Sequence, residues 1–388
     1  MNKEQSYLIE ISNEYLLNKK TTLNNLINEK EFIILAKQHG LLGVVYCVAK
    51  NAQNGEIVDP ELLKNLRQNF LKNTQAAMLQ SNVKNEALVA LGSAGIRHVC
   101  FKGSVIKAFY PVPEVRTMGD VDILIDPENE SKAKGAMLKA GFKITAENGP
   151  VWNYEKDGVL IEMHTSLLHE ELDKESTIKY FNTAMEHATF NGFQGEFDPL
   201  FHFEYLIAHM AHHFYFHGAG IRFIIDLAVM GWHFNINFKK AVLDLETAGL
   251  GTFAKQMISV CEQWFSVGEK FVNNTENVET FIASHGVFGM DERNDAAVIA
   301  RKNLEKGDKK ALKLKTIFPP YEHLRQMPYI KFLNGRPFLT PVAWVYRIFY
   351  YIFNKNTKGA IKATMNLGTS ATITEAEAEL QFFKEIGL

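Results

Sequence analysis

Cysteine is scarce. Only Cys47, Cys100 and Cys261 occur in a chain of 388 residues, and no two form a CxxC pair. An odd, scattered set argues against a disulfide framework and against a zinc knuckle, and it fits a reducing, cytoplasmic setting. Charge of one sign is lacking too, since 42 Lys and Arg offset 44 Asp and Glu to a formal −2. Proteins that grip long nucleic acid draw on a basic field, so no extended nucleic acid is expected as a partner. Long apolar runs are missing as well. The most apolar C-terminal stretch, Phe338 to Phe353, is sixteen residues long and is broken by Pro341 and Arg347, whereas a membrane span needs about 20. It reads as a buried helix of a helical domain, with a helix lying on a membrane surface as the alternative. The opening MNKEQSYLIEIS has no basic head before an apolar run, so no secretory signal is expected. Neither repeats nor low-complexity tracts are evident.

What is present is an ordinary globular balance, 46% hydrophobic and 22% charged, at a length that suggests two or three domains. The first ninety or so residues read as helical. Asp59-Pro60-Glu61 is a helix start, with a cap, a first-turn proline and an acid at the positive end of the dipole. The following stretch to about Leu91 contains no Pro or Gly and predicts one long amphipathic helix. After Gly92 the texture changes. Ile96 to Phe101 is short and β-like and runs into Lys102-Gly103-Ser104; Val105 to Val112 suggests one or two helical turns. Asp120 to Ile125 predicts a strand, Asp126-Pro127 a capped helix to about Ala140, and Phe142 to Thr145 another strand. Val151–Lys156 and Val159–His164 are two strand-like runs joined by Asp157-Gly158, the signal of a type I′ hairpin. Helical texture returns from about Phe201, strongly so over His202 to Phe216 and Ile221 to Trp232. Arg301 to Lys315 carries seven Lys and Arg against two acids and reads as a solvated helix or linker, with a phosphate-facing patch as the alternative. A final helix is expected over Thr372 to Phe383, with Thr374 as its cap.

Three features of the α/β stretch interlock. Gly103-Ser104 sits where a strand turns into a helix, a place where glycine admits close approach and helix amides favour anions. Asp120 and Asp122 are two apart on a strand, so both carboxylates share one face with Cα atoms roughly 6.5–7 Å apart. That arrangement suits shared divalent cations, although a solvent-facing edge or salt bridges to Arg116 or Lys102 would also satisfy two acids. Glu162 stands between Ile161 and Met163, and period-2 alternation puts Leu160, Glu162 and His164 on one face.

A Gly-Ser turn, a hydrophobic-flanked Asp-x-Asp strand and a third acid on a later strand together resemble the nucleotidyltransferase superfamily of the DNA polymerase β type. The stretches FKGSVIKAFYPVPEVRTMGDVDILID, VLIEMHTSLL and LIAHMAHHFYFHGAGIRFIIDLAVM resemble, more closely, the uncharacterised nucleotidyltransferases, a group found mainly in bacteria. LAKQHGLLGVVY and RPFLTPVAWVYR extend the likeness over most of the chain. The resemblance implies an α+β fold, with a small mixed-sheet core over 93–166 flanked by a helical N-terminal region, 1–92, and a helical C-terminal domain, 167–388. It implies a nucleoside triphosphate such as ATP as substrate and Mg²⁺ or Mn²⁺ as cofactor. Asp120 and Asp122 would ligate both ions, and Glu162 would complete the metal site or act as general base. Gly103 and Ser104 would hold the β and γ phosphates. The fifteen residues between Ser104 and Asp120 exceed the usual spacing and imply an inserted loop bearing Pro111, Pro113 and Arg116.

From the residues themselves, Lys102 and Arg116 are candidate phosphate contacts. His164 either assists proton transfer or, the favoured reading, bonds a backbone carbonyl. His209, His212, His213 and His217 lie at helical spacing, and His209 with His213 shares a helix face. No glutamate base accompanies them as in HExxH, so they read as hydrogen-bonded groups lining a cleft, with nucleotide contact or a metal site as alternatives. Asp226 at i+4 from Arg222 suggests a local ion pair. The expected reaction is nucleoside monophosphate transfer to a hydroxyl of a small molecule, sugar or protein. An inactive nucleotide- or partner-binding module, or a hydrolase built on the histidines, are the rivals. Acceptor, nucleobase and oligomeric state are not encoded in recognisable form.

Overall fold

Asp157 and Gly158 both lie at positive φ, 52° and 76°, the geometry a type I′ turn requires. They close a hairpin in which β4 (Val151–Lys156) pairs antiparallel with β5 (Val159–His164) from Lys156↔Val159 to Val151↔His164. The computed structural model describes residues 1–20, 28–52, 59–148, 150–168, 175–216, 218–286, 318, 321–325, 330–333, 335–353 and 370–388. His217 and the basic run 301–315 lie outside the described residues.

The hairpin belongs to a mixed seven-stranded sheet of order β3-β4-β5-β2-β1-β7-β6. Its other strands are β1 (His98–Phe101), β2 (Asp120–Ile125), β3 (Lys143–Asn148), β6 (Ala188–Asn191) and β7 (Gln194–Phe197). β2 runs parallel to β5 and antiparallel to β1, and β1 runs parallel to β7. The fold is therefore α+β, as the sequence implies, but the β6–β7 hairpin carries the sheet beyond residue 166. The sequence of Ala188 to Phe197 does not announce this pair, because four-residue strands leave little periodic signal.

Each face of the sheet has its own cover. Val121, Ile123, Ile125, Ile161 and Met163 form an apolar core with Val83, Ala87 and Leu91 of α4 (Pro60–Ser93) and Ala133 and Met137 of α6 (Glu130–Lys139). The spacing of Val83, Ala87 and Leu91 keeps one stripe of α4 on the sheet. Asp59 caps α4 by accepting the Glu61 amide at 3.1 Å. Asp126 does not cap α6. Its carboxylate instead receives Arg97 through two bonds of 3.1 and 3.0 Å, and a 3₁₀ turn at Pro127–Asn129 leads into the helix.

The opposite face carries Phe101, Asp122, Glu162 and His164, and α8 (Pro199–Phe216) lies against it. Tyr205 meets the Phe101 ring edge-on at 5.4 Å between centroids. Beyond α8 follow α9 (Ile221–Phe234), α10 (Phe238–Thr247), α11 (Gly251–Phe265) and α12 (Glu276–Ser284). The N-terminal helices α1 (Lys3–Leu16), α2 (Glu29–Gln38) and α3 (Leu42–Asn51) join the same body. Buried His39 fastens them: it accepts the Ile221 amide at Nδ1, 3.1 Å, while Nε2 lies 3.2 Å from the Ala283 carbonyl. Burial holds its pKa down to about 4, which keeps the Nδ1 acceptor unprotonated. Two shorter helices of this body are α5, the four-residue turn Gly103–Ile106, and α7, Glu175–Phe181.

Residues 1–290 with Gly387 form one unit, and 291–386 with Leu388 the other. In the second, Leu324, Ile330, Leu333 and Ala343 make a small core. The apolar stretch beginning at Phe338 is a helix over Thr340–Phe353, but it is not buried all round: Ala343 is covered, whereas Phe338, Val342, Val345, Tyr346 and Phe349 are exposed. The last helix runs Ser370–Ile386, so Thr374 lies inside it rather than capping it. Among the described residues, no helix is long and apolar enough to cross a membrane.

Candidate active site

The parallel pairing of β2 with β5 sets the site. Asp122 lies opposite Glu162 and Leu124 opposite His164, so the alternation that hides Val121 and Ile123 turns Asp120, Asp122, Glu162 and His164 to the other face. Asp122 is nearly enclosed, at 3% exposed. Its Oδ1 accepts from Lys102 Nζ at 2.7 Å and from His164 Nε2 at 3.1 Å. His164 Nε2 also lies 3.7 Å from Glu162 Oε2. His164 therefore bonds Asp122, not a backbone carbonyl. A ring edge from Phe101, 5.1 Å between centroids, fixes the imidazole from the side.

Two neighbouring acids take opposite protonation habits. Burial alone would push the Asp122 carboxyl up, but the Lys102 ammonium and the His164 bond outweigh it and hold it at about 2. Asp120 is pushed up to about 6 by burial and by the charges of Asp122 and Glu162. Two carboxylates on one face cannot both ionise cheaply, and the cation sits on the inner one.

Lys102 is held in an unusual backbone state, φ 53° and ψ −136°. Such a conformation costs a non-glycine residue on the order of 1–3 kcal/mol. It is anchored by a bond from its amide to His202 Nε2, 3.1 Å, and burial holds His202 down to about 4, unprotonated and able to accept. The turn delivers Gly103, where a Cβ would fall 2.3 Å from Arg116 Nη1. Glycine is what lets the guanidinium lie on the backbone here. Ser104 is buried, and its hydroxyl donates to the Phe101 carbonyl at 3.2 Å.

Arg116 comes from the loop between α5 and β2 and is locked. Its Nε and Nη2 bind the two carboxylate oxygens of Asp226 at 3.0 and 2.7 Å, and Tyr110 donates to the same carboxylate at 2.7 Å. Asp226 is thus the partner of Arg116, not of Arg222. Arg222 Nη1 instead donates to the Thr117 carbonyl and hydroxyl at 3.0 and 3.2 Å. His209 and His213 face each other at 3.1 Å between Nε2 atoms, and burial together with the Lys102 charge holds His209 well below its ordinary pKa.

Lys102, Gly103, Arg116, Asp120 and Asp122 line one cleft with His209, His213, Phe223, Arg222 and Asp226. One carboxylate oxygen from each of Asp122 and Glu162 and a ring nitrogen of His164 all lie within 4.8 Å of one another. Two carboxylates and an imidazole so placed suit a divalent cation. His209 and His213 stand outside that set. Comparison with known families now decides the broad identity: the family described as uncharacterised nucleotidyltransferase matches residues 25–266.

The chain belongs to that family.

Membership carries a general nucleotidyl-transfer role and implies a nucleoside triphosphate substrate and a divalent metal. No curated protein and no solved structure matches the chain. The nucleotidyltransferase match spans α4, the whole sheet and α8 to α11. His202, Tyr110 and Phe223 were not legible as site residues. Phe223 lines the cleft, whereas His202 backs the Lys102 turn and Tyr110 holds Asp226, and no spacing rule links them to the acids.

Proposed function

We propose that the chain transfers a nucleoside monophosphate from a nucleoside triphosphate, ATP among them, to a hydroxyl of a small molecule, sugar or protein side chain. Pyrophosphate is the second product. The observation that carries the reading is the meeting of Asp122, Glu162 and His164 within 4.8 Å, in register on neighbouring parallel strands and beside the Lys102-Gly103 turn. In this reading Asp122, Glu162 and His164 hold one divalent cation, and Asp120, on the same face, extends the set toward a second. Bound there, the cations supply neutralisation of phosphate charge and ease deprotonation of the attacking hydroxyl.

The chain's own groups do the rest. The Gly103 turn admits phosphate close to the backbone, and Ser104 contributes its amide, since its hydroxyl is spent on Phe101. The acceptor oxygen bonds to the α-phosphorus, the bond to the bridging oxygen breaks, and the hydroxyl proton passes to a carboxylate, with Glu162 the candidate base. Lys102 and Arg116 place positive charge beside the departing pyrophosphate. The core proposed for this chemistry is 93–166 together with the β6–β7 pair. A cytoplasmic enzyme without an extended nucleic-acid partner remains the proposed setting.

The test is pyrophosphate release from each of the four NTPs with Mg²⁺ or Mn²⁺, followed by transfer of a labelled nucleotide to candidate acceptors. Glu162→Gln, at a partly exposed position, should abolish turnover with little change in melting. Full turnover in that variant would overturn the assignment.

A further inference from the structure

We propose that Arg222 is the principal anion ligand of the cleft and binds the pyrophosphate portion of the nucleotide. This rests on the nucleotidyl-transfer reading for its ligand, but on separate residues for its support.

Three permanent cations line the cleft, Lys102, Arg116 and Arg222. Lys102 is committed to Asp122 at 2.7 Å and Arg116 to Asp226 through a two-pronged pair. Among the described residues, no carboxylate pairs with Arg222, although it is only 8% exposed. Its bonds are confined to Nη1, which holds the Thr117 carbonyl and hydroxyl. Nε and Nη2 have no protein acceptor among the described residues. A guanidinium this buried with no direct ion pair is costly, and the charges of Asp226 and Asp120 offset that only in part. Burial and the neighbouring Arg116 charge bring its pKa down to about 10. An arriving anion would relieve both penalties, and a planar fork suits phosphate oxygens.

The surroundings fit that ligand. Arg222 stands in the first turn of the fourteen-residue α9, where the helix dipole also favours negative charge. Arg116 lies against Gly103, so the Gly103 turn and the two guanidiniums border one space. The cleft measures about 150 Å³, below the roughly 300–1,000 Å³ of pockets that enclose a drug-sized ligand. It therefore takes the phosphate end of a nucleotide and leaves the nucleoside at the mouth. Among the described residues, Asp120 and Arg222 are the cleft's carboxylate and guanidinium without a direct ion-pair partner, and they match the two charges of a metal–phosphate group.

The experiment is calorimetric titration of the full chain with inorganic pyrophosphate in EDTA, for wild type, Arg222→Gln, Arg222→Lys and Thr117→Val. Charge-assisted bonds of this kind predict a loss of about ten- to a hundredfold in pyrophosphate affinity for Arg222→Gln, partial recovery with Lys, and near wild-type affinity for Thr117→Val. A role limited to tethering the Thr117 loop would lower the melting temperature of both Arg222→Gln and Thr117→Val and leave pyrophosphate affinity unchanged, which would overturn the proposal. So would wild type that fails to bind pyrophosphate. The two readings separate cleanly: Arg222-dependent binding without any NTP turnover would sink the transfer reaction and leave the anion site standing. Turnover with unaltered pyrophosphate affinity in Arg222→Gln would do the reverse.

Discussion

Lys102 Nζ lies 2.7 Å from Asp122 Oδ1, the same oxygen that His164 Nε2 approaches at 3.1 Å. The inner acid of the Asp-x-Asp strand thus carries a tethered cation at the place where a divalent ion would sit. A metal ion drawing on that oxygen has to compete with the ammonium. Lys102→Met is expected to tighten Mn²⁺ binding to the nucleotide-free protein by about tenfold, on the order of 1.4 kcal/mol, read by electron paramagnetic resonance of free Mn²⁺. Weaker binding in the variant would show that Lys102 supports the ion instead of competing with it.

Metal affinity should also follow pH. Asp120 is held up to about 6, so below that value it carries a proton that a cation must displace. Mn²⁺ affinity is expected to climb between about pH 5 and pH 7 and then level off. In Asp120→Asn the climb should flatten, and an unchanged slope would remove Asp120 from the metal set.

The pair between Arg116 and Asp226 is buried on both sides, with side chains 9% and 8% exposed. Deleting one member of such a pair strands the other, at a cost of about 3–5 kcal/mol. Asp226→Asn should therefore lower the denaturation midpoint substantially, and it should do so more than Lys64→Ala, whose partner Glu61 is exposed. Comparable stability of the two variants would contradict the buried-pair account.

A separate pH effect belongs to the helical region. Glu204 is buried, accepts from the Tyr180 hydroxyl at 2.6 Å, and is pushed up from 4.5 to about 8 by burial, with the Asp244 charge adding to it. Between those values the folded chain keeps a proton that the unfolded chain has released. Raising the pH across that interval therefore favours unfolding, with the loss complete above about pH 8. Glu204→Gln should remove this part of the pH dependence and leave the variant more stable than wild type at pH 8 by chemical denaturation. A variant that still loses stability from pH 5 to pH 8 as steeply as wild type would exclude Glu204 as the source.

Local pattern made much of the framework readable. The boundaries of β4 and β5 follow from their alternation and the Asp-Gly turn, and α4 from its cap and its lack of helix breakers. Apolar alternation also tells which side chains of β2 and β5 share a face, because the pleat has a fixed period of two. That was enough to pick out Asp120, Asp122, Glu162 and His164. Asp126 and Thr374 show where such reading stops: both have the chemistry of a cap, yet Arg97 captures one and a longer helix absorbs the other.

The chain alone settled the two-faced strands and the acids they carry, since these depend on neighbours in sequence. Only the folded molecule settled that β5 lies beside β2 in the register that sets Glu162 opposite Asp122. It also chose Arg116 over Arg222 for Asp226, seated Lys102 on Asp122 and brought His202 under the Lys102 turn. These choices join residues 20 to 110 positions apart. They are made by strand order and by competition among buried charges for few partners, and neither quantity is written in any local spacing.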